Sequence, residues 1–148
     1  MSGKRGWNAF AVAIALIWFG AVLGHSFLAT PAVFQSTHIA RPVAFDVVRV
    51  SFALFSKAEW ALWLAFGLGV LLSGRHVLAV AVLAALAAIL ILQAAWLLPA
   101  LGVRADMVLA GKPLPASVHH AVQSSLELVK ALLLLAFAAA GLRTLARK

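Results

Sequence analysis

Four stretches of this chain are each long and apolar enough to cross a lipid bilayer, and this limits the fold more than any other feature. A spanning helix needs about 20 mostly apolar residues to cover about 30 Å of hydrocarbon. The first stretch runs from about Phe10 to Ala29, between the basic Lys4-Arg5 pair and Thr30-Pro31. The second runs from about Val47 to Leu72 and ends at Ser73-Gly74-Arg75-His76. The third, Val77 to Leu98, is almost unbroken Ala, Leu, Val and Ile and is followed by Pro99. The fourth starts near Ser117, an N-cap candidate after Pro113 and Pro115, and continues to about Leu142. Strand alternation is absent, which excludes a barrel. The expectation is an all-α integral membrane four-helix bundle, with helices at about 10–29, 47–72, 77–98 and 117–142. Residues 1–148 then form a single transmembrane domain.

Composition agrees. The 148 residues are 65% hydrophobic and carry only 12 Lys/Arg and 4 Asp/Glu, whereas soluble domains are about 45–50% apolar and about 25% charged. Ten glycines, five prolines and no repeat unit exclude collagen-like, disordered and solenoid folds. With no cysteine, disulfides, zinc ribbons, iron–sulfur clusters and thiol catalysis are excluded. The opening basic pair and apolar run resemble a signal peptide, but Trp7 to Leu23 is long for an h-region. Ala21-Val22-Leu23-Gly24 is also a poor cleavage site, so the segment is read as helix one.

The basic residues set orientation. With both termini inside, Lys4, Arg5, Arg75, Arg143, Arg147 and Lys148 lie inside, and Arg41, Arg49, Arg104 and Lys112 lie outside. This favours N-in/C-in in a cell inner membrane. The net charge of +8 then reflects topology and contact with anionic lipid of the bilayer, not nucleic acid.

Polar groups inside the spans must find partners or a water-filled cavity. At about 1.5 Å per residue, His25 and Gln93 lie about 22 and 24 Å from the inner edge. His119 and His120 lie at the outer interface, with Ser124 about 9 Å and Glu127 about 14 Å deeper. Glu59 is about 14–18 Å deep. The polar groups therefore collect in the outer half of one bundle. At 100° per residue, His120, Gln123, Ser124, Glu127 and Ala131 share one arc of the fourth helix, which should face the bundle interior. Lys130 is placed to pair with Glu127 at i,i+3. Lys57 and Glu59 point about 200° apart, which puts Glu59 in the bundle and leaves Lys57 to snorkel outward. A structural salt bridge from Glu59 to Arg49 or another base competes with a functional role. Gly20 and Gly24 form a G-x-x-x-G spacing suited to close helix approach just below His25. His38 and His76 fall in loops. The connections at about residues 30–46 and 102–116, with Pro31-Ala32-Val33-Phe34 as a short interfacial turn, are long enough to cover the outer mouth.

A His/Glu set in a four-helix bundle is ligand vocabulary for divalent metals, with His25, His120 and Glu127 as candidate ligands. Two histidines on different helices, His25 and His119 or His120, also suit a haem. The paired Glu-x-x-His di-iron signature is absent, as are a catalytic triad, a phosphate loop, a Rossmann fingerprint and H-E-x-x-H. The residue set therefore leans away from an enzyme. Proton relay by Glu127, His120 and Glu59 suits an exchanger. Three readings follow. The leading one is an outward-facing pocket of His25, Glu59, Gln93, His120, Ser124 and Glu127 that binds or transports a small solute or metal ion. The second is a haem- or metal-binding redox subunit. The third is a structural subunit whose polar groups lock helices together. Transport by four spans calls for a homo-oligomer or a larger membrane complex.

The Gly-rich half of helix one, Pro31 and Phe34-Gln35, Trp96-Leu97-Leu98-Pro99, and His120 seven residues before Glu127 form a pattern that resembles the four-helix membrane family named for transmembrane protein 205. The resemblance implies an integral membrane bundle with a His on the last helix and a polar residue seven positions on, together with metal or drug handling. In the family pattern that polar residue is Asn, where this chain has Glu127.

Overall fold

A computed structural model describes residues 2–74 and 76–147. Arg75 and Lys148, both used in the orientation count, lie outside the described residues. The chain forms four long helices: α1 (Gly3–Gln35), α2 (Arg41–Ser73), α3 (Val77–Leu109) and α4 (His119–Ala146). All four are long and apolar enough to cross a membrane. Each helix packs against its sequence neighbours, and α1 closes the ring against α4. Trp18, Phe66, Leu86, Leu90 and Leu134 fill the centre and are completely or almost completely buried.

Several helix ends differ from the sequence expectation: α1 starts at Gly3, not near Phe10, α4 runs to Ala146, not Leu142, and three further ends lie at prolines. Helix one continues through Pro31 to Gln35, and the third helix continues through Pro99 to Leu109. An interior proline normally lacks its hydrogen bond and clashes with the carbonyl four residues back. Here a π-helical segment precedes each proline, at Leu23–Ala29 and at Gln93–Leu97. The Thr30 N–H reaches back to the His25 carbonyl and the Leu98 N–H to the Gln93 carbonyl, both five residues away. The wider turn moves the conflicting carbonyls aside, so the helix passes the proline. Pro31-Ala32-Val33-Phe34 is accordingly helical, not a turn. The second helix starts at Arg41, six residues before Val47, with Pro42 in its first turn, where a missing N–H costs nothing. The connection between α1 and α2 shrinks to residues 36–40, and that between α3 and α4 to 110–118. Gly74 and Gly111, at φ +123° and +68°, end α2 and α3.

The G-x-x-x-G expectation fails. A Cβ on Gly20 or Gly24 would meet nothing within 4 Å. The close approaches lie nearer the Lys4 end of the bundle. A Cβ on Gly69 of α2 would come within 2.9 Å of the Ala11 Cβ, and one on Gly141 of α4 would collide with Val12. Helix α1 is therefore seated between two glycines on neighbouring helices. Arg5 joins the terminal helices at the same end, donating from Nη2 to the Leu145 carbonyl at 2.9 Å.

The chain also repeats, against the sequence expectation. Pro31 and Pro99 are 68 positions apart, as are His25 and Gln93, Ser56 and Ser124, and Glu59 and Glu127. Both π segments end at matching positions, Ala29 and Leu97. The buried residues Ala15, Trp18, Val22, Phe66 and Val70 have buried counterparts at Leu83, Leu86, Leu90, Leu134 and Ala138. Two helical hairpins, α1–α2 and α3–α4, thus share one plan of helix, π turn, proline and returning acidic helix.

Candidate functional site

The polar groups of all four helices meet at one point inside the bundle. Lys130 is completely buried (0% exposed) on α4. Its ammonium donates to Glu59 Oε1 at 2.5 Å, to Gln93 Oε1 at 3.0 Å and to Glu127 Oε1 at 3.0 Å. An ammonium has three hydrogens to give, and each has an acceptor. Glu59 Oε1 also accepts from the Trp18 indole at 2.9 Å. Glu127 Oε1 accepts further bonds from Gln93 Nε2 at 2.6 Å and Gln123 Nε2 at 3.1 Å. Gln93 Nε2 also lies 3.2 Å from Gln123 Oε1. The second oxygen of Glu127 accepts from the Ser26 hydroxyl at 3.1 Å.

Local structure places these groups. Gln93 opens the π segment of α3 and Ser26 lies within that of α1, so both widened turns present a polar side chain to Glu127. Gln123, Glu127 and Lys130 follow one another along the buried stripe of α4. Glu59 is buried on α2 while Lys57 is exposed, as their angular separation requires. The partner of Glu59 is Lys130; Arg49 instead binds Asp46 at 2.5 Å and Asp106 at 2.8 Å at the Arg41 end of the bundle.

The remaining sequence candidates lie around this centre. His25 is edge-on to Phe52 and tilted against Phe55, with ring centroids 4.7 and 4.4 Å away. Its Nε2 is buried and has no hydrogen-bond partner among the described residues. His120 and Ser124 are exposed from the bundle and line a cavity of about 430 Å3 between α1 and α4. Ser26, Thr30, Pro31, Phe34, Gln123 and Glu127 complete most of its wall, so the cavity reaches the cluster at Glu127. His119 is held by Ser117, 2.9 Å from Nδ1, beside Trp96. His25, with its two Phe neighbours, and His119, with Ser117 and Trp96, therefore have separate surroundings.

The structure does not gather His25, His120 and Glu127 as metal ligands. Among the described residues, no group of three or more His, Asp or Glu side chains is arranged to hold a metal ion. Glu127 is instead occupied by Lys130, two glutamine amides and a hydroxyl.

Four residues of the site escaped sequence reasoning as site members: Trp18, Ser26, Lys130 and Gln123, the last placed only on the inward arc of the fourth helix. Trp18 lies two turns before His25 on the same helical face, a spacing that would have found it. Lys130 was visible only as an i,i+3 partner of Glu127. Its role as the hub of both acids depends on the meeting of α2 and α4, which no local spacing reports.

The chain matches no protein-family model, no curated protein and no solved structure. The resemblance to the transmembrane protein 205 family therefore rests on the quoted residues alone.

Proposed function

We propose that this chain is a multi-pass inner-membrane protein, with both termini on the cytoplasmic side, whose outward half binds a small organic cation at Glu127. One observation carries the reading. The buried cluster holds two carboxylates and a single ammonium, so it is one positive charge short of balance. An unbalanced charge out of water is costly, and Glu127 borders a 430 Å3 cavity of a size that suits a small molecule. A cation in that cavity, or a proton when no cation is bound, restores neutrality. Among the described residues Glu127 Oε2 has only Ser26 as a hydrogen-bond partner, which makes it the natural acceptor for the solute. Lys130, Gln93 and Gln123 hold the carboxylate in place through its other oxygen. His120 and Ser124 line the approach. Movement of the solute across the bilayer would call on an oligomer or a larger membrane complex, since alternating access needs one body to rock against another.

A purely structural role is favoured by a different observation, the full saturation of the Lys130 ammonium. The two readings separate by experiment. Purified protein is titrated with methylammonium, guanidinium, choline, sodium and potassium while thermal unfolding and Trp fluorescence are followed. At least one organic cation should bind saturably to the native chain, and Glu127→Gln should weaken it tenfold or more while leaving the fold intact. Equal binding by Glu127→Gln, or no saturable binding by any probe, would overturn the proposal and leave the cluster as a helix lock.

A further inference from the structure

A second chamber lies at the Arg41 end of the bundle, beside the cavity that reaches Glu127, with a volume of about 390 Å3. Its walls are mainly apolar, with Phe34, Phe45, Phe52, Leu98, Leu101 and Leu114 among them. Its charged lining residues are all arginines: Arg41, Arg49 and Arg104. They are not equivalent. Arg49 is paired with both Asp46 and Asp106, a set that carries one surplus negative charge. Arg41 and Arg104 form no ion pair among the described residues. The Arg41 guanidinium lies 5.8 Å from the centre of the Phe45 ring, and Arg104 donates from Nη1 to the Pro115 carbonyl at 3.0 Å. The second contact ties the α3–α4 connection across the chamber.

The continuation of α3 past Pro99 builds this chamber, because Leu101, Arg104 and Ala105 all belong to the extension. A helix of 33 residues is about 50 Å long, well beyond the roughly 30 Å of hydrocarbon. The chamber therefore stands at headgroup depth in the bilayer proposed above, where anionic groups on apolar chains reside. An apolar cavity with two guanidinium groups that form no ion pair among the described residues, and a net charge of +1 once Asp46 and Asp106 are counted with the three arginines, matches one such molecule in both shape and charge. Guanidinium is also the cation best suited to grip a carboxylate, through paired N–H donors.

We propose that this chamber binds a single-chain anionic amphiphile, with its carboxylate at Arg41 and Arg104 and its chain among Phe34, Phe52 and Leu98. The site uses neither the charge nor the carboxylates of the Glu127 cluster, although Phe34, Phe52, His120 and Gln123 border both cavities, and a variant at Glu127 tests the two sites separately.

Equilibrium dialysis of laurate against the full chain in phosphatidylcholine nanodiscs, corrected for empty nanodiscs, tests the assignment. Saturable binding near one laurate per chain is expected, at least tenfold tighter than dodecanol or dodecyltrimethylammonium. The double variant Arg41→Gln/Arg104→Gln should weaken laurate tenfold or more, and Ala53→Trp, which fills the chamber, should abolish the saturable component. Glu127→Gln should leave laurate binding unchanged, which separates this site from the cation site. Equal affinity for laurate and dodecanol, or native-like binding by the double variant, would overturn the proposal. Loss of laurate binding in phosphatidylglycerol nanodiscs would also overturn it, by assigning the chamber to a bilayer lipid headgroup.

Discussion

Lys130 determines how the buried acids behave. Removing one partner from a buried ion pair costs about 3–5 kcal/mol, because the remaining charge is left uncompensated. Lys130→Met would leave Glu59 and Glu127 facing each other without a base, and a loss of about that size is expected in reversible unfolding. The triple variant Lys130→Met/Glu59→Gln/Glu127→Gln should recover most of it, since replacing a whole buried charge set is often neutral. Glu127→Gln alone should unfold no more easily than the native chain, because it leaves one acid against one base. The acids and Gln93 were legible in the sequence because polar side chains are conspicuous inside apolar runs. Trp18 was not, because an indole in a membrane helix looks like core until its N–H is seen donating to Glu59. His25 was legible, but its setting was not: its neighbours Phe52 and Phe55 come from another helix.

The elements show where local rules succeed and where tertiary context overrides them. All four helices were expected from apolar length, and the start of α2 was signalled by Pro42 once it is read as a first-turn residue. Pro31 and Pro99 were misread as stops. A proline's effect depends on the turn before it, and no composition cue marks a π segment. Glycine use was misread for a related reason. Spacing along one helix shows where a close approach is permitted, whereas the neighbour decides where it occurs. Gly141→Val should therefore overpack α4 against Val12 and cost about 1–3 kcal/mol. Gly20→Ala and Gly24→Ala should be neutral or stabilising by up to about 1 kcal/mol through helix propensity. Unfolding midpoints of the three variants in one detergent check both statements.

For the whole molecule, the two-hairpin plan explains why a short chain can build a polar centre at all. Each hairpin delivers one acid to the same depth, and the ring closure of α1 on α4 brings them together. The repeat was hidden because its halves share apolar character more than identity: Trp18 stands opposite Leu86, and Phe66 opposite Leu134. The proposed orientation is open to direct test, since the chain has no cysteine. A single cysteine at Thr37, in the exposed α1–α2 connection, should react with an impermeant maleimide on intact spheroplasts. One at Lys4 should react only after the membrane is opened. The reverse pattern would place the Glu127 cavity toward the cytoplasm.

The halves also differ in self-sufficiency. The first hairpin contributes an acid but no base to the interior, since Leu62 occupies the place that Lys130 takes in the second. Two copies of the first hairpin would enclose a pair of like charges, while two copies of the second would enclose matched acids and bases. The first hairpin, with no buried lysine of its own, has its acid paired with Lys130 of the second, and the negative charge left over in the cluster is what the proposed cation at Glu127 would balance.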